Sequence, residues 1–156
     1  MKTQRRAVLK GMLASAVGLA GVGLTEKASA KTVAKTHEAG GVVNSQEIPM
    51  FSAFTKYSNL VFISGIGCHE GPKTIQNHTK VVMRDLRKAI EAAGSSMDKV
   101  LKCYAYVDDI ANVEGMNQIY DAAWPKGKMP ARTCIAVAKG GIPGASLCEV
   151  DAICYI

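Results

Sequence analysis

The sequence predicts an α+β fold, a mixed β-sheet with two helices packed on one face, in the order ββαβαββ. Two segments, at about 76–93 and 110–123, repeat apolar residues with helical spacing. The predicted strands are short apolar or alternating segments at 51–55, 59–64, 100–107, 132–138 and 147–155. The overall composition, with 48% hydrophobic and 21% charged residues, is ordinary for a globular domain.

The first helix is predicted from an apolar stripe that includes Val82, Leu86 and Ile90. Gly94 follows this stripe at the position where a glycine commonly ends a helix. We interpret His78, near the start of this helix, as a polar surface or interface residue and not as a catalytic residue. The pattern therefore predicts a helix with one buried face.

Alternation along strand 100–107 predicts one face formed by Leu101, Cys103, Ala105 and Val107. Asp108-Asp109 follows this strand, and either carboxylate can cap the second helix. The strand is therefore expected to carry its odd-numbered residues on one face and to be followed by the second helix.

The first 30 residues are typical of an export signal peptide. A basic start that ends at Lys10 precedes an apolar run of 14 residues, 11–24, which is shorter than the roughly 20 residues of a membrane-spanning helix. Ala28-Ser29-Ala30 resembles a cleavage site, and Arg5-Arg6 resembles the twin-arginine motif. A general secretory signal and an uncleaved anchor remain alternatives.

This signal predicts a protein that is periplasmic or otherwise exported, by the twin-arginine route, and that contacts the membrane only through residues 1–30. Residues 31–46 are polar and contain glycine, so we interpret them as a loose N-terminal lead-in. The folded domain is then expected to occupy residues 47–156.

The charge distribution argues against a nucleic-acid partner. The net charge is +6, but five basic residues and one acidic residue lie in residues 1–30. The remainder has 14 basic and 12 acidic residues, an excess of only +2. A nucleic-acid-binding domain usually carries a basic patch on its folded part, so no nucleic-acid ligand is expected.

The chain has five cysteines, an odd number that cannot all pair within one chain: Cys68, Cys103, Cys134, Cys148 and Cys154. Their spacing matches neither a CxxC motif nor a zinc site. Cys103, Cys148 and Cys154 are interpreted as small buried hydrophobic residues.

The loop at 66–75 contains Cys68, His69 and Glu70, three residue types that can bind metal. Consecutive residues seldom ligate one ion well, so this segment is interpreted as an exposed loop and no metal site is predicted.

Alternation places Arg132 and Cys134 on one face of strand 132–138, and Glu149 and Asp151 on one face of strand 147–155. If the two strands are antiparallel neighbours, Arg132 and Glu149 lie close together. The arginine could grip a substrate carboxylate while the acid orients water or moves a proton. A structural salt bridge between the two side chains is the alternative.

The C-terminal strands carry a pattern similar to the signature of the Rid (reactive intermediate deaminase, YjgF-type) family. This pattern comprises PARTCIAVA at 130–138, IPGA at 142–145 and EVDA at 149–152, with ISG at 63–65 upstream. The resemblance covers about residues 47–156. It implies a chorismate-mutase-like fold, a homotrimer with clefts between subunits, and hydrolysis of 2-imino or enamine acids to 2-oxo acids and ammonium. No cofactor is expected.

By this resemblance, Arg132 matches the arginine that binds the substrate carboxylate, and Glu149 matches the acid that places the attacking water. Cys134 matches a cysteine that lines the cleft, in a packing or polar role and not as a nucleophile.

Ser64 and Gly65 match positions whose hydroxyl and backbone carbonyl face the ligand. Phe51 stands where many family members carry a tyrosine in the cleft, so a hydroxyl is lost there.

Three functions follow as hypotheses. The first is an exported imine and enamine deaminase whose substrate carries a carboxylate. The second is a non-catalytic module that binds small carboxylates in the same clefts. The third is RNA cleavage or chaperone-like action, and the small charge excess of the predicted domain counts against the RNA branch.

Overall fold

The computed structural model describes residues 37–45 and 48–156. The predicted signal peptide, its cleavage site and the first part of the lead-in lie outside the described residues. The strands are β1 (His37–Ser45), β2 (Ile48–Tyr57), β3 (Leu60–Gly67), β4 (Val100–Val107), β5 (Ala131–Ala136) and β6 (Cys148–Tyr155). The α-helices are α1 (Ile75–Ala92) and α2 (Val113–Tyr120).

The six strands form one sheet in the order β1-β2-β3-β6-β4-β5. All neighbouring strands are antiparallel except β4 and β5, which are parallel. Apolar residues of both helices and of the sheet form one buried core. This arrangement confirms the predicted α+β fold with a mixed sheet and two helices.

The predicted pairing of the two C-terminal strands is wrong. Strand β5 does not pair with β6, because both edges of β6 are occupied, by β3 and by β4. Instead β5 pairs with the free edge of β4, and α2 lies in the connection between these two strands. A strand–helix–strand connection of this kind produces parallel neighbours.

Helix α1 agrees closely with its prediction. Thr74 caps its N-terminus, because the Asn77 backbone N–H donates to the Thr74 hydroxyl at 3.3 Å. Val82, Leu86 and Ile90 are fully buried. Gly94 follows the helix with φ of +82°, a left-handed conformation that glycine adopts without a steric penalty.

The second helical segment is less regular than predicted. A 3₁₀ turn at Ile110–Asn112 leads into α2, and a second one at Asp121–Ala123 follows it. The Asp109 carboxylate accepts a hydrogen bond from the Ala111 backbone N–H at 2.9 Å, which confirms its predicted capping role.

Two predictions about the strands are corrected. Leu101 is 48% exposed while Val100 is buried, because the register of β4 against β6 shifts between Val100 and Lys102 and reverses the alternation there. Residues 37–45, predicted as loose lead-in, form β1 against β2. The pair Gly40-Gly41 in β1 weakens the strand pattern in the sequence, and pairing with β2 supplies the missing stabilisation.

All five cysteines are free thiols. Cys103, Cys148 and Cys154 are buried, as predicted, and burial raises the pKa of Cys103 to about 12 and that of Cys148 to about 11. These thiols therefore stay protonated near neutral pH. Among the described residues, no helix is long and apolar enough to cross a membrane.

Candidate functional site

The two sides of the sheet differ in what they carry. The side chains of Cys148, Val150, Ala152 and Cys154 of β6 are buried beneath the helices, on what we call the helix face. Glu149 and Asp151 alternate with them and point to the opposite, open face. No helix of the described chain covers the open face, and Val137 and Gly141 to Pro143 line a small cavity with Tyr106 and Glu149 at one end of it.

Arg132 lies on the helix face. Its position in β5 is paired with Cys103 of β4, a fully buried residue, and cross-strand partners point to the same side. The Arg132 guanidinium carbon lies 4.6 Å from the centre of the Tyr120 ring. The strand register and the ring contact therefore agree on where this side chain points.

The Arg132 guanidinium has an unused hydrogen-bonding capacity. Its Nη1 atom is buried and has no hydrogen-bond partner. Within the described residues, ion pairs involve Arg84 and Lys88 but not Arg132. A buried guanidinium nitrogen without an acceptor is costly, so the group is suited to an anion supplied from elsewhere.

Glu149 lies on the open face, aligned with Tyr106 of β4 and with Gly67 of β3. Its carboxylate rests against the backbone of Gly65, where an added Cβ would overlap Oε1. Burial raises the pKa of the Glu149 carboxyl, and the charge of Asp151 raises it further. A carboxyl group with a raised pKa is better suited than an ordinary one to exchange a proton near neutral pH.

Arg132 and Glu149 therefore do not meet within one chain. They point to opposite faces, and β4 lies between their strands. This result contradicts both the predicted proximity and the alternative of a salt bridge between them. The cause is the position of β5 at the sheet edge beside β4.

Ser64 and Gly65 form a β-bulge. Ile63 is paired with Ala152 and Ile66 with Val150, so two residues of β3 oppose a single residue of β6. The Ser64 hydroxyl donates to the Ser52 carbonyl at 2.6 Å. Because Gly65 has no side chain, the bulge leaves room for the Glu149 carboxylate, and Gly65 lies beside the predicted acid.

Cys134 and Phe51 have different surroundings. Cys134 shares the helix face with Arg132 and packs, half-buried, against the core. Phe51 is 49% exposed and lies in β2, opposite Val43 of β1. In the strand order of the sheet, β3, β6 and β4 separate β2 from β5. A single chain thus does not bring Phe51 to Arg132, and the predicted ligand contacts of both residues stay predictions.

Tyr106 and Asp151 extend the group of polar residues around Glu149 on the open face. The Tyr106 hydroxyl donates to Asp151 Oδ2 at 3.3 Å, and both residues line a cavity of about 280 Å³. Burial raises the pKa of Asp151. Sequence reasoning did not assign these residues, although Asp151 follows Glu149 by two positions on the same strand face.

The loop after β3 differs from its prediction in one respect. His69 and Glu70 are exposed, and Glu70 Oε1 pairs with Arg84 Nη2 at 2.7 Å. Cys68, however, is buried, and its thiol donates to the Glu70 carbonyl at 3.2 Å. Among the described residues, no group of three His, Cys, Asp or Glu side chains could hold a metal ion.

His78 is buried, which corrects its assignment as a surface residue. Its Nδ1 accepts a hydrogen bond from the Leu147 backbone N–H at 3.0 Å, so the imidazole secures the start of β6 to α1. Burial lowers the pKa of His78, and the nearby charge of Lys73 lowers it further.

Comparison with known proteins finds one family model that covers all of the candidate site residues. A family model described as Endoribonuclease L-PSP matches residues 44–156, which include every candidate residue from Phe51 to Glu149. A RutC family protein of Pyrococcus horikoshii is 31% identical over 112 residues, 67% of this chain and 86% of that protein.

Solved structures share the fold. RidA from the Antarctic bacterium Psychrobacter sp. aligns with a TM-score of 0.64 and 25% identity over 76% of this chain and 94% of that chain. A YjgF family member from Neisseria meningitidis aligns with a TM-score of 0.67 and 22% identity, over 78% of this chain and 95% of its own.

Proposed function

The chain belongs to the endoribonuclease L-PSP family, which includes YjgF and RutC proteins, and from this premise we propose that it is an imine and enamine deaminase. This membership confirms the Rid (YjgF-type) resemblance. In the proposed reaction, a 2-iminium acid and one water molecule give a 2-oxo acid and one ammonium ion. Water adds to the C=N carbon, and the C–N bond breaks after a proton reaches nitrogen.

The buried Nη1 atom of Arg132, which has no hydrogen-bond acceptor, is the observation that carries the proposal. No described carboxylate neutralises the guanidinium. An arginine can bind a carboxylate with two parallel hydrogen bonds, which fixes the position of the substrate as well as its charge. The proposed substrate class, small acids with a C=N group next to the carboxylate, satisfies this requirement.

Glu149 is proposed to handle the water and the proton. Its raised pKa, caused first by burial, makes the carboxylate a better proton acceptor than an ordinary glutamate. The iminium carbon is already electrophilic, so positioning and electrostatics supply most of the catalysis and no covalent intermediate is needed.

The opposite orientations of Arg132 and Glu149 imply that the site is shared between copies of the chain. We propose a homotrimer, the common assembly of YjgF family proteins. In this trimer, the β5 edge of one copy, which carries Arg132, contacts the open face of the next copy. The open face favours such an assembly, because it exposes the large apolar residues Phe62, Tyr104 and Ile135.

Generating imines in situ with an amino-acid oxidase tests the activity directly. The purified protein should accelerate both the loss of imine and the release of 2-oxo acid. Replacement of Arg132 by Ala removes charged hydrogen bonds worth roughly 1.5–3 kcal/mol each, so kcat/KM should fall at least roughly 10- to 150-fold. Arg84→Ala is the matched control, since Arg84 is exposed and ion-paired on α1.

The same assay separates the alternatives. A binding module without catalysis would be thermally stabilised by 2-oxo acids but would leave the imine decay rate unchanged. The family description also names an endoribonuclease, and RNA cleavage would appear as salt-sensitive binding and degradation of RNA. Failure to accelerate the decay of any carboxylate-bearing imine would overturn the proposed deaminase.

Export by the twin-arginine route is a separate proposal, supported by Arg5-Arg6 and the apolar run that follows. Replacement of both arginines by lysine should retain the protein inside the cell, as measured by fractionation. Export of this variant at the normal level would favour a general secretory signal.

A further inference from the structure

Among the described residues, Tyr120 provides the aromatic ring that packs against the Arg132 guanidinium. It is the last residue of α2, it is 1% exposed, and its ring centre lies 4.6 Å from the guanidinium carbon. Trp124 packs edge-on against this ring, with centroids 5.3 Å apart and planes at 62°. The helix end and the indole together fix the ring beneath the arginine.

The type of group that holds Arg132 determines whether its N–H donors remain free to bind a substrate. A carboxylate would also hold Arg132, but it would neutralise the charge and occupy the N–H donors. The face of an aromatic ring attracts the cation and leaves its N–H groups free. The nearby acids Glu149 and Asp151 point to the other face of the sheet, so the ring is the support that the described chain provides.

Tyr120 does not act as a charged counter-ion. Burial raises the pKa of its hydroxyl, so the phenol stays neutral at physiological pH. The buried hydroxyl faces the Cys103 thiol and the Trp124 indole, and it makes no hydrogen bond to the guanidinium. The interaction with Arg132 is therefore made through the ring face.

We propose that Tyr120 is a positioning residue that holds Arg132 through its ring face and thereby sets the preference for substrates with a carboxylate. The inference rests on the proposed function, which it deepens by assigning the preference to a residue behind the arginine. Weakening the ring's negative face should let the guanidinium move, which weakens carboxylate binding before it affects the chemical step.

Graded fluorination of the ring provides the test. Phenylalanine and its mono-, di- and trifluorinated forms are introduced in place of Tyr120, which changes the quadrupole of the ring with little change in its size. The Kd for 2-oxobutyrate and the KM for the corresponding imine should rise with each added fluorine. The total rise from phenylalanine to the trifluoro form should be about 5- to 30-fold. The kcat should change much less, and turnover of the imine of an amino-acid amide should not change.

Tyr155 offers a matched control for fluorination. Its ring lies 5.8 Å from the Lys99 ammonium group, so it supports a cation that has no part in the proposed site. The same series at Tyr155 should leave Kd and KM unchanged, and the melting temperature of every variant reports whether packing is preserved. A flat Kd and KM across the Tyr120 series, with folding intact, would overturn the inference.

Failure of the inference and failure of the proposed function give different results. Turnover that is insensitive to the Tyr120 series rejects the positioning role and leaves the deaminase standing. Binding of 2-oxobutyrate that depends on the ring, without any imine turnover, rejects the deaminase and supports the positioning role. If the unmodified protein neither binds 2-oxobutyrate nor turns over imines, both are rejected.

Discussion

The helix face and the open face of the sheet differ in how they are covered and in which residues they carry. The helix face is buried by elements of its own chain, and its strand residues are mostly small and apolar, with Arg132 as a cation at the edge. No described helix covers the open face, and it carries Glu149 and Asp151 among exposed aromatic residues. The first face stabilises one chain, while the second has unmet interactions that another copy can satisfy.

The difference between the faces predicts unequal effects of truncating an apolar side chain. Leu86 is fully buried under the helix face, so Leu86→Ala should lower the free energy of unfolding by about 2–5 kcal/mol. Phe62, on the open face, is 40% exposed, and Phe62→Ala should act mainly by weakening the proposed trimer. Denaturant titration and sedimentation velocity measure the two effects. Equal loss of chain stability without dissociation would contradict this division.

Gly65 tests whether the bulge positions the acid. A Cβ at this position would overlap Glu149 Oε1, so Gly65→Ala should displace the carboxylate. A displacement of about 1 Å at a reacting group can lower the rate roughly 100-fold, and kcat should fall by that order. Gly67→Ala is the matched control, since the nearest neighbours of an added Cβ there would be Ser146, at 3.3 Å, and His69. Similar activity losses in both variants would exclude a specific effect on Glu149.

His78 predicts how the stability of the helix face depends on pH. Its pKa is lowered in the folded chain, so its contribution is fully present above the ordinary pKa of 6.5 and is lost as the pH falls below that value. One such group can change stability by at most about 1.4 kcal/mol per pH unit. His78→Gln should flatten the decrease in stability between pH 6.5 and 5. An unchanged profile would show that other groups cause the decrease.

Asp151 predicts a smaller effect, on the pH profile of activity. Its charge is the second cause, after burial, of the raised pKa of Glu149. Asp151→Asn should lower that pKa, and the acidic limb of the kcat/KM profile should shift to lower pH. A shift to higher pH would contradict the assigned coupling.

Sequence reasoning succeeded where local patterns determine the structure. Val82, Leu86 and Ile90 repeat with helical spacing, and the structure buries all three. The odd-numbered residues of β4 from Cys103 onward are buried, as the alternation along this strand predicts. The register shift near Leu101 could not be predicted from that alternation.

Sequence reasoning failed where the structure depends on distant pairing. The sequence of β5 does not indicate that this strand pairs with β4 and not with β6. For the same reason, the contact of Arg132 with Tyr120 could not be predicted from the C-terminal motif, since Tyr120 belongs to a helix outside it. The residue types of the site were predicted from the motif, but their separation onto two faces required the topology.

Complementation between two inactive variants tests the shared site most directly. Arg132→Ala and Glu149→Gln proteins are unfolded together and reassembled at equal concentration, and imine hydrolysis is measured. If each site takes Arg132 from one copy and Glu149 from the next, about one quarter of all sites in the randomly assembled trimers should regain both residues. A shared site should therefore restore about that fraction of normal activity, whereas properly assembled mixed trimers without any activity would exclude a site shared between copies.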